Sequence, residues 1–423
     1  MTDDSRVLRR VAWREIFPWL VLFRTFRTAV APAVLLAAIL GTLLSPVGRI
    51  AASYIFLTSA ERAEIRDFSP AGGYPPAPGA PISTQAPAAV ERFLPDLPSG
   101  VVEAFYHFVE PVWRVFHLNL TVRHVAYYVF VVLWTIAVWA FFGGLITRIA
   151  VSRLGPDHPV GLREAAGLVA RRYLQYVFAP LYPLVGVVFL ALLLAPVGLL
   201  MRMDLGVLLV GVVWILVVAI GLFAVWLLIG VLFGWPLMWP AIGAEREGDA
   251  FEAFSRSYAY VYGKPLHYLF YVAVAALFGT LAWALVNYAA TMVVEFGFWA
   301  TSWGAGAERT QQIRELALAS PGHLLTSGEA NLMQRGAGLI GLWLTLVRTV
   351  VTAFTYSFFW VNAAAIYLLL RYDVDGKEMD DVYEPEDDLR FAAGKRAITS
   401  TPAPANPGDA NSAESTAPTD TAE

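Results

Sequence analysis

Histidine and acidic side chains at helical spacing are the first place to look for chemistry in this sequence. Four polar residues follow one another at intervals of four, three and four, which would put them on one helical face: Glu103, His107, Glu110 and Arg114. A Glu-His-Glu set could hold a divalent metal ion. The same pattern is typical of the polar side of an interfacial helix, and Pro111 disturbs its geometry. We therefore predict no metal site and no cofactor.

Catalytic signatures are missing from the sequence. It has no His-Glu-x-x-His pair for zinc, no Gly-x-Ser-x-Gly nucleophile turn and no phosphate-binding Walker loop. It also has no cysteine, which excludes disulfides, Cys-ligated metals and thiol nucleophiles. Missing motifs do not exclude an enzyme, but they leave no affirmative case for one, so we predict no catalytic residue.

Polar side chains inside apolar stretches form a second group of candidates, because such groups at membrane depth often serve substrates or ions. Arg348 interrupts the last apolar stretch, and Glu295 closes the stretch before it. Residues 349–370 are long enough to cross a membrane alone, so Arg348 would lie at the outer boundary and could pair with Glu295. We expect a structural role first and a substrate site second. Asn287 and Asn362 are expected to hydrogen-bond between helices.

Two segments that match at an offset of 85 residues carry the third group of candidates. Each begins with an acidic residue followed by Ala. After a gap of five residues comes Arg-x-Tyr, and after a gap of six more comes Pro-Leu-x-x-Leu. An amphipathic helix on the inner leaflet would place the arginine near lipid phosphates and the tyrosine at headgroup depth. The lipid-headgroup candidates are Arg171, Tyr173, Arg256 and Tyr258. The chain would then turn near Pro180 or Pro265 into the bilayer; the alternative is a coincidence among common interfacial residues.

The elements that must position these residues are apolar helices. The 423-residue chain is 57% hydrophobic and only 15% charged, too few charges to cover a water-soluble surface of this size. A spanning helix needs about 20 apolar residues. Six stretches qualify, which predicts an all-α, polytopic membrane helical bundle with interfacial amphipathic helices. The predicted spans are residues 28–48, 125–147, 177–200, 205–233, 266–294 and 346–370 of a membrane domain covering residues 28–376.

Basic residues set the predicted orientation. Most of the 30 Lys and Arg residues lie in segments that six spans would place on the same side as the two termini. We therefore expect a multi-pass cell-membrane protein with both termini in the cytoplasm. Arginine far outnumbers lysine, which is typical of a GC-rich genome and favours a bacterial inner membrane.

Segments outside the spans have their own composition. Residues 1–27 form a basic interfacial segment. This segment is longer and more polar than the part of a cleaved signal peptide that precedes its apolar region. The outside loop 58–123 is Pro-rich, which favours a solvated linker over a partner-binding segment, and its residues 101–118 resemble an amphipathic interfacial helix. Residues 377–423 are predicted to be an acidic, disordered cytoplasmic tail. Gly234-Trp235-Pro236 and Pro240 are expected to break the fourth apolar stretch.

Two short motifs resemble a known family. One is Ala253-Phe254-Ser255-Arg256-Ser257-Tyr258, and the other is the exit of the last span, Tyr367-x-x-x-Arg371 followed by Asp375-Gly376. They resemble a six-span bacterial membrane-domain family related to the membrane domain fused to some glycerophosphodiester phosphodiesterases. With six spans, the resemblance covers about residues 160–376, and the Pro-rich loop departs from it. No soluble phosphodiesterase domain is present, so that activity is not implied.

Two functions stay open. The first is a non-catalytic integral membrane protein that organises lipids or partner proteins. Its partners would be membrane lipids and an unidentified protein bound through the Pro-rich loop or the tail. We expect it to bind no nucleic acid. The second is a transporter or channel for a small hydrophobic or lipid-like solute, with discontinuous Pro-rich helices around its site. Coupled transporters need ionisable groups near the midplane, and the sequence offers almost none there. A polar cavity lined by two or more of the intramembrane polar residues would favour the transporter.

Overall fold

The computed structural model describes residues 17–62, 99–115, 121–155, 160–319 and 331–383. In these ranges the chain is helical and contains no β-strand, so the all-α prediction is confirmed. A 3₁₀ turn at Pro18–Leu20 precedes the α-helices. These are α1 (Val21–Ala29), α2 (Pro32–Phe56), α3 (Ser99–Val115), α4 (Val122–Leu154), α5 (Leu162–Arg171), α6 (Tyr173–Leu200), α7 (Asp204–Ala244), α8 (Ala250–Gly263), α9 (Pro265–Ala305), α10 (Ala307–Ala319) and α11 (Leu332–Asp375).

Six helices in the described part of the chain are long and apolar enough to cross a membrane: α2, α4, α6, α7, α9 and α11. The predicted number of spans and the multi-pass architecture are confirmed. The helices α7, α9 and α11 have 41, 41 and 44 residues. At 1.5 Å per residue each is about 60 Å long, roughly twice the thickness of the hydrocarbon layer. Their ends therefore continue beyond the layer and can carry polar groups.

The first span begins later than predicted. Residues 28–30 end α1 and the turn after it, and α2 begins at Pro32. Ala31 has an extended backbone, with φ −63° and ψ 136°, which is the conformation that a following proline favours. Pro32 can then occupy the first position of α2, where its missing N–H group leaves no hydrogen bond unmade.

The predicted break near residue 234 is wrong, because α7 runs through Pro236 and Pro240 without interruption. The helix α6 likewise contains three prolines and stays continuous. An internal proline removes one helical hydrogen bond at a cost of about 3 kcal/mol. In α7 the residues from Gly234 to Ala244 are all buried. Packing on every side of this segment offsets the lost hydrogen bonds, as neighbouring helices do in membrane bundles.

The centre of the bundle is formed by α4 and α11, and α2 packs against both. From Ala353 to Arg371 every residue of α11 is buried. Tryptophans of α4 fill the contact with α2 because glycines leave room for them: a Cβ added at Gly48 would lie 2.2 Å from the ring of Trp134. Trp139 donates from its indole N–H to Ser45 Oγ over 2.8 Å. The outer parts of α6 and α7 expose apolar side chains, as lipid-facing helices do.

The predicted amphipathic helix at residues 101–118 is present as α3, but it does not lie only on the surface. It packs against α4, α9 and α11. Phe108 lies 5.6 Å from the buried ring of Trp139 and 5.6 Å from that of Trp360, measured between ring centroids. Trp113, on the other face, is 68% exposed. The aromatic face of α3 is therefore inserted into the bundle.

Several predictions fall outside the described residues. These include residues 1–16 of the N-terminal segment, the Pro-rich part of the loop at 63–98 and the tail from residue 384 onward. Residues 377–383, however, are described and correct the predicted tail. Lys377 Nζ lies 3.2 Å from Glu245 Oε2, and Asp381 Oδ2 lies 3.3 Å from Arg371 Nη2. These ion pairs hold the start of the predicted tail against the helices.

Candidate functional site

A buried carboxylate, Glu245, gathers charged side chains at one end of the bundle. It follows α7 directly, and its side chain is 10% exposed. Three cations and one hydroxyl surround the carboxylate: Arg371 Nε at 2.9 Å, Lys377 Nζ at 3.2 Å, Arg256 Nη1 at 3.4 Å and the donating hydroxyl of Tyr367 at 3.0 Å. We call this set the Glu245 cluster.

Two arginines place Glu245 by binding the carbonyls at the end of α7. Arg172 Nη1 donates to the carbonyls of Ile242 and Glu245, each over 3.0 Å, and Arg148 Nη1 donates to the carbonyl of Gly243 over 2.7 Å. The last carbonyls of a helix have no partner within it, so cations there satisfy them and the helix dipole. The chain turns at Gly248, whose φ of 54° is in the left-handed region that favours glycine.

A second layer of acidic groups surrounds the cations. Arg256 contacts Glu252 at 2.6 Å and Asp375 at 3.2 Å. The hydroxyl of Tyr260 also donates to Asp375. Gly376 ends α11 with a φ of 65°, which lies in the left-handed region that favours glycine. The two segments that resemble the six-span family thus meet in space: Arg256 of the first and Arg371 and Asp375 of the second all belong to the surroundings of Glu245.

The charges keep Glu245 ionised. Burial by itself would raise the pKa of this carboxyl, but Arg371, Arg256 and Lys377 together outweigh burial and hold the pKa below its usual value. The surrounding carboxylates raise the pKa of Arg256. A carboxylate with a lowered pKa is a poor general base near neutral pH. The cluster is therefore suited to joining α7, α8 and α11 rather than to proton transfer.

The four predicted headgroup residues divide into three with internal partners and one at the surface. Arg256 pairs within the Glu245 cluster. The hydroxyl of Tyr258 donates to the carbonyl of Leu227 over 2.7 Å, and that of Tyr173 donates to the carbonyl of Ala137 over 2.8 Å. Arg171 is exposed at the end of α5. Helix-to-helix bonds thus take up both tyrosine hydroxyls, and Arg171 is the one of the four that stays open to a lipid phosphate.

The two matching segments fold differently. Pro265 starts α9 after the break at Lys264, so a change of direction does occur at the predicted proline there. Pro180 lies inside α6, which already begins at Tyr173, so the predicted turn near Pro180 is wrong. The break in the first segment falls at Arg172, the residue that binds the end of α7.

The predicted pair between Arg348 and Glu295 is wrong. Glu295 instead receives a hydrogen bond from Arg314 Nη1 of α10 over 3.1 Å. Arg348 is half-buried in α11, and its Nη2 meets no hydrogen-bond acceptor in the described residues. The hydrogen bond between helices that was predicted for Asn362 is wrong, because its amide donates to the carbonyl of Phe358 in its own helix over 2.8 Å. Asn287 is half-buried on α9. The structure does not bring these four side chains into one site.

The polar face of α3, which carries His107 and Glu110, lies beside an arginine of α2. Arg49 Nη2 of α2 lies 3.4 Å from His107 Nδ1, and Glu110 pairs with Arg114 on α3. The side chain of Glu103 lies outside the described residues. No cluster of three or more His, Cys, Asp or Glu with metal-binding geometry occurs in the described ranges. The cationic group that the structure places beside His107 is therefore the Arg49 guanidinium.

An apolar cavity of about 470 Å³ lies between α3, α4, α6 and α7. Its walls are formed by aliphatic and aromatic side chains, including Val132, Ile136, Leu184 and Leu228, and by Thr135. No charged side chain lines it, and none of the four intramembrane polar candidates does. The cavity can therefore hold a hydrocarbon group, and it offers no counter-ion to a charged one.

Packed aromatic rings border this cavity. Trp235 and Trp239 of α7 line it, and Trp239 stacks on Trp360 of α11 with 4.3 Å between ring centroids. Trp239 also donates from its indole N–H to the carbonyl of Tyr176 over 2.9 Å. A Cβ added at Gly143 would lie 2.5 Å from the ring of Trp239, so this glycine makes room for it. These contacts fix the rings at one wall of the cavity.

Four residues of these sites had no predicted functional role: Glu245, Arg148, Arg172 and Trp235. A signal existed for Glu245, because it is the first charged residue after the longest charge-free run in the chain. Two tryptophans four residues apart, Trp235 and Trp239, also share one helical face. Because the neighbouring prolines predicted a helix break, Trp235 and Trp239 were not recognised as residues of one helical face.

Comparisons with protein-family models, with curated proteins and with solved structures found no match for this chain. Its function must therefore be inferred from the two features that the fold assembles. These are the Glu245 cluster at one end of the bundle and the apolar cavity between α3, α4, α6 and α7.

Proposed function

We propose that the protein is a non-catalytic integral membrane protein that binds a membrane lipid and holds one hydrocarbon chain in the apolar cavity. The single observation that carries this proposal is the cavity itself, of about 470 Å³ with no charged side chain in its walls. Ligand sites usually measure about 300–1,000 Å³ and are mostly apolar. A hydrocarbon chain gains free energy from such walls and needs no polar partner.

The placement of charge supports binding over catalysis. In the Glu245 cluster, the buried carboxylate is paired with three cations. A catalytic centre needs a group with a pKa matched to proton transfer or an activated nucleophile. Neither lies in the walls of the cavity. A coupled transporter would need ionisable groups at its site, so the same walls argue against that alternative.

The proposed location is the cell membrane of a bacterium, with both termini and the Glu245 cluster on the cytoplasmic side. The distribution of Lys and Arg supports this orientation. Because the chain has no cysteine, single cysteines report sidedness directly. We expect Arg202→Cys, between α6 and α7, to react with a membrane-impermeant maleimide in intact cells. Glu378→Cys should react only after permeabilisation, and the reverse pattern would exclude this orientation.

Photocrosslinking tests lipid binding. The full-length protein is reconstituted with a phosphatidylcholine that carries a diazirine in one acyl chain, and crosslinked peptides are identified by mass spectrometry. Leu228→Trp should fill the cavity and remove crosslinks to its walls in α4, α6 and α7. Leu222→Trp is the matched control, because Leu222 lies on the same helix, is 69% exposed and does not line the cavity. Equal crosslinking of the cavity walls in both variants would refute the proposal.

A further inference from the structure

Arg49, within the spanning helix α2, has no opposite charge beside it in the described residues. Its side chain is half-buried, and its one hydrogen-bond partner in these ranges is His107, whose Nδ1 lies 3.4 Å from Arg49 Nη2. Glu110 of α3 pairs with Arg114 instead, and the other ion pairs of the described residues do not include Arg49. A charge inside a membrane is costly unless it is paired, so Arg49 needs a counter-charge from another molecule.

His107 supplies no charge and leaves most of the guanidinium available. Burial, together with the charge of Arg49, lowers the pKa of His107 to about 3, so the imidazole is neutral near neutral pH. The neutral ring accepts a hydrogen bond from one of the five N–H donors of the guanidinium. None of the Arg49 nitrogens is both enclosed and unpaired. The donors that His107 does not take therefore have surface that a ligand can reach.

Arg49 lies toward the end of the bundle opposite the Glu245 cluster. The residue before it, Gly48, packs on Trp134 of α4. Arg148, which binds the end of α7, lies 14 residues further along α4, or about 21 Å. The hydrocarbon layer is about 30 Å thick, and a long arginine side chain can extend from its outer third to the headgroups. Tyr54, further along α2, is 65% exposed, which is typical of an aromatic side chain at headgroup depth.

We propose that Arg49 binds the phosphate group of a phospholipid in the leaflet opposite the Glu245 cluster. A phosphate supplies the missing counter-charge, and its oxygens accept hydrogen bonds from the planar fork of a guanidinium. Neither Arg49 nor His107 lines the apolar cavity. This headgroup site is therefore separate from the proposed binding of a hydrocarbon chain, and either of the two can fail without the other.

A lipid with a phosphate and a lipid without one distinguish this site from general lipid binding. The full-length protein is delipidated in detergent, and native mass spectrometry compares its binding of phosphatidylglycerol with its binding of diacylglycerol that has the same acyl chains. Arg49→Gln removes the charge, and Arg49→Lys keeps it. Arg123→Gln is the matched control, because Arg123 is an exposed arginine at the start of α4 and its loss removes the same unit of charge.

We expect Arg49→Gln to weaken binding of phosphatidylglycerol about five- to tenfold and to leave binding of diacylglycerol unchanged. Arg49→Lys should lie between the wild type and Arg49→Gln. Arg123→Gln should change the affinity less than about twofold. The site is refuted if Arg49→Gln binds phosphatidylglycerol as the wild type does, if it weakens both lipids equally, or if Arg123→Gln has the same effect.

Thermal unfolding separates a binding role of Arg49 from a structural one. Without lipid, Arg49→Gln should melt at the temperature of the wild type, because the lost hydrogen bond joins Arg49 to a half-buried imidazole and no ion pair is broken. Phosphatidylglycerol should raise the melting temperature of the wild type and of Arg49→Lys, but not that of Arg49→Gln. A lower melting temperature without lipid, with an undiminished rise on adding lipid, would show that Arg49 is structural.

The phosphate can belong to a lipid headgroup or to a soluble anion, and competition with millimolar inorganic phosphate distinguishes the two. Phosphatidylglycerol that stays bound to the wild type identifies the headgroup as the ligand. Displacement from the wild type, together with binding of inorganic phosphate that Arg49→Gln abolishes, identifies a site for soluble phosphate. Displacement to the same extent from the wild type and from Arg49→Gln would contradict a phosphate site at Arg49.

Discussion

Arg371 Nε lies 2.9 Å from Glu245 Oε1, and the two side chains are only 2% and 10% exposed. Arg371 belongs to the end of α11 and Glu245 follows α7, so the pair ties together the ends of two long helices that lie far apart in the sequence. Desolvation can cancel the attraction within a buried ion pair, so such a pair is not in itself a source of stability. Removing one partner is different, because the other charge is then left buried and unbalanced.

Replacing Glu245 with Gln keeps the shape of the side chain and removes its charge. We expect Glu245→Gln to lower the free energy of unfolding by about 3–5 kcal/mol, because Arg371 stays buried without a counter-charge. Denaturant unfolding in detergent micelles measures the change. Glu252→Gln is the control: its pair with Arg256 is 25–30% exposed and should be worth less than about 1 kcal/mol. Similar losses in the two variants would show that Glu245 has no special role.

The stability of the bundle should depend on acid through Glu245. Its pKa is lower in the folded protein than the ordinary value of 4.5, so the folded state binds this proton less readily than the unfolded state. The stabilisation is present above about pH 4.5 and is lost as the pH falls through the lowered pKa. The stability difference between wild type and Glu245→Gln should therefore be constant near neutral pH and begin to shrink below about pH 4.5. A difference that does not shrink at all as the pH falls below this value would contradict this account.

The contact between α7 and α8 depends on a glycine. A Cβ at Gly230 would lie 2.2 Å from the ring of Tyr258, whose hydroxyl is bound to the carbonyl of Leu227. We expect Gly230→Ala to destabilise the protein by about 1–3 kcal/mol through overpacking. Gly221→Ala is the matched control on the same helix, since nothing lies within 4 Å of its added Cβ. That control should be neutral or stabilising by up to about 1 kcal/mol, and thermal unfolding of both variants decides the point.

Two adjacent arginines should respond differently to truncation. Arg172 binds carbonyls at the end of α7, whereas Arg171 is exposed. Arg172→Ala leaves buried carbonyls without donors and should cost about 1–3 kcal/mol, measured by thermal unfolding. Arg171→Ala should change the free energy of unfolding by less than about 0.5 kcal/mol. If Arg171→Ala weakens binding to anionic vesicles, the predicted lipid-headgroup role of this residue gains support. An unchanged affinity for these vesicles would contradict that role.

The sequence predicted helices better than it predicted their ends and partners. All six spans exist as helices in the described residues, yet the expected break at Pro236 and Pro240 is absent because buried packing holds α7 together. Arg256 was expected at lipid phosphates and instead contacts three carboxylates. An arginine near a membrane surface can satisfy its charge either way, and the choice depends on acids from distant parts of the chain.

By itself, the sequence determined the all-α class and the number of spans, because a membrane requires about 20 apolar residues per crossing and a helix to satisfy their backbone. The tertiary structure alone decided that Glu245 would meet Arg371, that Glu295 would pair with Arg314, and that α3 would insert beside Trp235. Apolar length is a local property of the chain. The partner of a buried charge, the volume of a cavity and the acceptor of an indole N–H depend on which helices meet, and no spacing within a single helix specifies that.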